Sequence, residues 1–138
     1  MNFNDYLPSG EAAPDRWATA THLFDARHEE TTAERWERAL LLFESGDHTG
    51  AARLLADVVA EHPGQTGPRL LLARAYYHSA QLRRAEEELR AVIDRDPVDH
   101  YAHLLLGRTL ERQSRHEEAA PWLRMAAAFA GETADGDR

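Results

Sequence analysis

The chain has no cysteine and no lysine; all 16 of its basic side chains are arginine. Without cysteine, disulfides and thiolate chemistry are excluded. Without lysine, every surface cation is a planar guanidinium able to bind a carboxylate with two hydrogen bonds. Positive charge is in deficit as well. The formal net charge is -8, which argues against a nucleic-acid binder, since neutralising phosphates needs a basic face. It argues equally against an anionic membrane surface. No stretch approaches the ~18 apolar residues of a membrane span. The first ten residues, MNFNDYLPSG, have neither a basic start nor an apolar run, so they do not read as a secretory signal. Strand signals are missing: there are no alternating β-branched runs and no Asn-Gly hairpin. A glycine-rich phosphate loop, G-x-S-x-G and HExxH are absent too. The expectation is a soluble cytoplasmic protein that is not an enzyme, with no cofactor and no metal.

What is present is regularly punctuated helix. A chain of 138 residues suits one domain and is long enough to bury a core unaided. Neither glycine nor proline occurs between Asp15 and Ser45. Breaks follow at Gly46, Gly50, the cluster from Pro63 to Pro68, Pro97, Gly107, Pro121 and Gly131. Between them lie segments of about 12–16 residues with helical periodicity. Leu82, Ala85, Leu89, Val92 and Ile93, for example, share one face, and Arg83, Glu87, Arg90 and Asp94 the other. The fold class is all-α.

A shift of 34 residues superposes the chain on itself. Ala39, Ala73 and Gly107 align, as do Leu42, Tyr76 and Leu110, then Ala51, Ala85 and Ala119, and Leu55, Leu89 and Leu123. Small residues at two of these positions let paired helices approach closely, and the larger ones fill the space between. Pro63 and Pro97 close two units, because proline cannot continue a helix. The turn inside each unit falls at Gly46, Ala80 and Ser114. The alternative, an ordinary helical bundle with chance self-similarity, does not account for a match that recurs in both shifts.

The pattern resembles the tetratricopeptide (TPR) repeat over roughly Thr32 to Gly131. It departs from the family where Arg35, Arg69 and His103 stand, since the family usually has a Trp there and Trp36 comes one residue later. The resemblance implies an α-solenoid of antiparallel helix pairs, about seven helices in a right-handed superhelix. The units expected are a flexible arm at 1–13, an extra helix at 14–28, repeats at 32–65, 66–99 and 100–131, and a disordered acidic tail at 132–138. The extra helix is suggested by RWATATHLFDAR from Arg16, which echoes RWERALLLFESG from Arg35. Over the 19 residues between them, at about 100° per residue, the two stripes would not share a face of one continuous helix. Thr31 and Glu34 form a capping-box pattern, so a fresh start is expected near Thr32.

The resemblance also implies a groove lined by the first helix of each pair, binding a peptide or a segment of a protein partner. Its lining would be Trp36, Leu40 and Phe43, then Arg74, Tyr77 and His78, then Tyr101, Arg108, Glu111 and Arg112. Arg74 and Arg108, one repeat apart, would suit acidic groups on the partner; the alternative is that these arginines pair with the protein's own acids. Trp36, Leu40 and Phe43 make a large apolar patch that the segment from Arg16 is expected to cover. Some TPR domains grip a chaperone carboxylate with a Lys/Asn/Arg clamp, and this chain lacks the lysine. His100, His103, Asp96 and Asp99 have a spacing compatible with a metal, but also with an ordinary helix N-terminus. Glu86-Glu87-Glu88 and Glu117-Glu118 read as exposed charge at the starts of second helices. Trp122, Met125 and Phe129 are a candidate oligomer face, because the last repeat is expected to lack a polar cap; a homodimer is the corresponding alternative. No nucleic acid and no membrane are expected as partners.

Overall fold

The computed structural model describes residues 29–136, with side chains as far as residue 131. From Thr32 onward these fall in one compact unit. The expectations for residues 1–28, the arm and the extra helix, lie outside the described residues. Residues 29–31 are not helical. After them come six helices: α1 (Thr32–Glu44), α2 (His48–Glu61), α3 (Thr66–His78), α4 (Leu82–Arg95), α5 (His100–Arg112) and α6 (His116–Gly136). Successive first helices begin at residues 32, 66 and 100, and successive second helices at 48, 82 and 116, so each start recurs after 34 residues. In that frame Trp36 takes the place of Leu70 and Leu104.

The turns obey the same period. Gly46 has φ +92°, Ala80 φ 60° and Ser114 φ 61°. At each, the amide of the next residue reaches back to the first helix: Asp47 N to Leu42 O at 2.8 Å, Gln81 N to Tyr76 O at 2.8 Å and Arg115 N to Leu110 O at 2.9 Å. This is the left-handed helix ending that glycine adopts freely and that alanine and serine adopt at a cost. Asp47 and Asp99 then cap α2 and α5, accepting from Gly50 N at 2.8 Å and Ala102 N at 3.0 Å. Pro68 sits in the first turn of α3, where its missing donor has no partner to lose.

Each helix packs on the next, and α3 also touches α5. Ala39, Ala51, Ala73 and Ala85 are fully buried and Ala119 nearly so, with Leu55 and Leu89 fully buried between them. One cluster joins α1 and α2 to α3, and a second joins α3 and α4 to α5 and α6. The core thus runs through the stack instead of closing within any pair.

Two expectations need correction. Gly131 does not end the last helix, which runs on to Gly136 through the segment read as tail. A lone glycine costs about 1 kcal/mol in a helix, and no proline follows it to enforce a stop. Glu86 is not exposed charge. Its side chain is only 12% exposed and joins α4 to the α5–α6 turn, 2.6 Å from Arg115 and 3.0 Å from Arg90. Gln113 also donates to it at 3.1 Å.

Candidate functional site

A trough of about 510 Å³ lies along the first helices. Trp36 and Leu40, four residues apart on α1, form one wall. Gly67, Leu70, Leu71 and Arg74 follow the three-four spacing of one face of α3, and Tyr101 enters from the first turn of α5. Gly67 leaves open space, since a side chain there would meet nothing within 4 Å.

Arg74 is the charged group of this trough. Its guanidinium carbon lies 4.9 Å from the Phe43 ring centroid and 5.9 Å from that of Tyr101. The aromatic faces attract the cation, but they do not use its N–H donors. No acid among the described residues pairs with Arg74, and its Nε is buried with no hydrogen-bond partner among them.

The other two arginines expected in the groove have internal partners. Arg108 pairs with Glu111 at 3.0 Å, the arginine exposed and the acid half-buried. Arg112 donates to the Tyr77 carbonyl at 2.7 Å and lies 4.6 Å over the Tyr77 ring. That contact sets a cation on the C-terminal carbonyls of α3, where the helix dipole favours it. Beyond Arg74, at the end of the trough, His78 stacks on His48 with centroids 4.7 Å apart and planes at 27°. The Phe43 ring stands edge-on to both, at 4.8 Å from His48 and 5.8 Å from His78. Burial, and then the neighbouring His48, Arg74 and Arg112, hold the His78 imidazole below its ordinary pKa.

Of the ten expected groove residues, Trp36, Leu40, Arg74 and Tyr101 therefore meet at the trough, and Phe43 backs Arg74. Tyr77, His78 and Arg112 gather at its end. Arg108 does not stand beside Arg74 as a second trough cation; it edges a separate groove with His100, Leu104, Leu123, Ala126, Ala127 and Ala130. His48 was not foreseen. The repeat frame held the signal, because it sets the start of one second helix beside the end of the next first helix.

The expected oligomer face is divided. Trp122 and Phe129 pack on His103 within the last pair, with centroids at 5.6 and 5.3 Å, while Met125 is 47% exposed. His103 itself is only 3% exposed and its Nδ1 lies 2.8 Å from the Asp99 carbonyl. With Asp99 as the cap, those residues build a helix N-terminus.

Residues 42–108 match the model of the tetratricopeptide repeat family. Over those residues the chain carries the tetratricopeptide repeat. It is 35% identical over 101 residues to cellulose synthase 1 operon protein C of Komagataeibacter xylinus, an alignment covering 64% of this chain and 8% of that protein. The TPR chain thus spans less than a tenth of that relative's length. Among solved structures it resembles MamA MSR-1 with a TM-score of 0.73 at 18% identity, covering 90% of this chain and 71% of MamA. It resembles MamA of Desulfovibrio magneticus RS-1 with a TM-score of 0.71 at 22% identity, over 88% and 71%. For a chain of the CopN–Scc3 complex the values are 0.68 and 18%, over 75% and 61%. The shared feature is the fold, a TPR-type α-solenoid. Among the described residues no helix is long and apolar enough to cross a membrane.

Proposed function

We propose that this TPR chain is a non-enzymatic adaptor that holds an extended segment of a protein partner in the trough between α1, α3 and α5. TPR folds serve in general as protein-interaction modules, and one neighbour in fold is found in a protein complex. The observation that carries the reading is Arg74. Its guanidinium is set between two aromatic rings, without an acid among the described residues, at the edge of an apolar trough. A carboxylate of the partner would supply the two acceptors it lacks. Trp36, Leu40 and Leu70 would take an apolar side chain beside it. The test is a peptide array probed with the wild-type chain and with Arg74→Glu. Acidic-apolar peptides should be retained by the wild type and lost by the variant at unchanged helicity; retention by both would refute the assignment. Arg108→Glu, which breaks only the pair with Glu111, should leave retention intact.

A second reading is self-assembly through the end of the array. The groove edged by Leu104, Leu123, Ala126, Ala127 and Ala130 favours it, because it lies where a following first helix would sit. Leu104→Glu should convert a dimer to a monomer by sedimentation. A wild type that stays monomeric at high concentration would refute this reading.

A further inference from the structure

Around the end of the trough, the groups facing the two histidines come from four helices. Phe43 comes from α1, His48 from α2, Arg74 and Tyr77 from α3, and Arg112 from α5. The charged neighbours that act on His78 are His48, Arg74 and Arg112, all basic. Of the acids at the adjoining helix ends, Asp47 accepts from Gly50 N, Glu111 pairs with Arg108, and Glu44 is exposed. His48 Nδ1 is buried and finds no hydrogen-bond partner among the described residues. Burial and these basic neighbours disfavour a proton on His78, against which the His48 ring is stacked. An anion placed against the two rings reverses that preference.

We propose that the His48–His78 pair is a proton-gated subsite for a second carboxylate of the segment held at Arg74. It rests on the trough reading given above and adds a regulation to it. The Phe43 ring is the shared wall, with the Arg74 guanidinium against it and both imidazoles edge-on to it. A segment with two acidic residues can therefore place one on Arg74 and the other at the histidines. Binding the second raises the pKa of the His78 imidazole, so a proton is taken up with the segment. The added affinity is fully present below the pKa of His78 in the free chain and is lost as pH rises through its pKa in the bound state. Each pKa unit between the two states corresponds to tenfold in affinity.

The test uses the full chain and an acetylated, amidated six-residue peptide of alternating aspartate and leucine, whose side chains stay ionised above about pH 5. Titration calorimetry at pH 5.5 and 7.5, in buffers of different ionisation heat, reads affinity and proton uptake together. The wild type should bind roughly tenfold tighter at the lower pH, with net proton uptake. His78→Gln should lose both the pH dependence and the uptake while keeping the weaker binding of pH 7.5. Equal affinity at both pH values, abolished by Arg74→Glu, would overturn the subsite and leave the trough reading standing. Full pH dependence retained in His78→Gln would overturn it as well, and binding at neither pH would overturn both.

Discussion

Gly107 offers a stringent test of how the helix pairs pack. A Cβ at this position would lie 2.4 Å from Leu123 Cδ2 and 2.6 Å from its Cγ. Carbon atoms in contact rest about 3.5–4.0 Å apart, so Leu123 would have to retreat by about 1 Å. Turning χ2 moves Cδ2 but leaves Cγ in place, so the clash reaches the side chain's branch point. Overpacking of this kind costs about 1–3 kcal/mol, whereas replacing a mid-helix glycine by alanine returns about 1 kcal/mol. Gly107→Ala should therefore destabilise the chain by about 1 kcal/mol. In a Leu123→Ala background the clashing atoms are gone, and the same substitution should stabilise by about 1 kcal/mol. The double-mutant cycle should thus show coupling of about 2 kcal/mol, with a change of sign. Urea unfolding followed by far-UV circular dichroism on the four proteins measures it. If Gly107→Ala raises the midpoint equally in both backgrounds, the close approach of α5 and α6 at Leu123 is refuted. The corresponding Ala39 and Ala73 carry their methyl groups fully buried, so the demand for glycine belongs to the third pair.

Ala80 and Ser114 hold left-handed backbone that L side chains adopt at a cost. Ala80→Gly and Ser114→Gly should each stabilise by about 1 kcal/mol in urea unfolding. Burial pushes the Glu86 carboxyl up, but hydrogen bonds from Arg115, Gln113 and Arg90 outweigh it and hold the pKa below the usual range. A depressed carboxylate stabilises the fold above its unfolded pKa of about 4.3 and loses that contribution as pH falls through the folded value. Glu86→Gln should lower the urea midpoint at neutral pH and flatten its decline in acid; an unchanged acid limb would count against the network.

The repeat made much of this fold legible. Ala39, Ala73 and Gly107 place the first helices, and Gly46, Ala80 and Ser114 place the turns, because close approach and left-handed backbone restrict residue type. Where the physics is local, the sequence carries it. Glu86 was misread because its environment depends on Arg115 and Gln113, 29 and 27 residues away, and a run of three glutamates looks the same in solvent. The helix beyond Gly131 was misread because glycine only weakens a helix. The trough residues followed from the repeat frame, but the standing of each arginine did not. Arg74 and Arg108 are equivalent by period, yet one faces Phe43 and the other meets Glu111 at i, i+3. The decisive difference is one neighbouring acid, which a 34-residue period does not describe.

That difference also weighs the trough against the end of the array as the functional surface. By the repeat frame, Leu123, Ala126 and Ala127 on α6 correspond to Leu89, Val92 and Ile93 on α4, which pack in one cluster with Ala102, Leu105 and Leu106 of α5. Replacing Val and Ile by two alanines removes five side-chain carbons. At about 0.8 kcal/mol per buried carbon, a helix covering the end gains about 4 kcal/mol less than α5 gains on α4. The terminal groove is therefore an attenuated copy of an internal interface, better suited to ending the stack than to propagating it. The trough has the opposite character. At Arg74 a cation is held by aromatic faces with its Nε buried and unbonded among the described residues, an arrangement that gains from a carboxylate and gains nothing from another apolar helix. Binding energy at the end is diffuse and reduced, whereas in the trough it is concentrated on one group with an unmet hydrogen-bonding demand. On that physical ground the proposed trough site is favoured over the end of the array, and self-association through α6 should be the weaker of the two equilibria when both are measured by sedimentation with and without the acidic-apolar peptide.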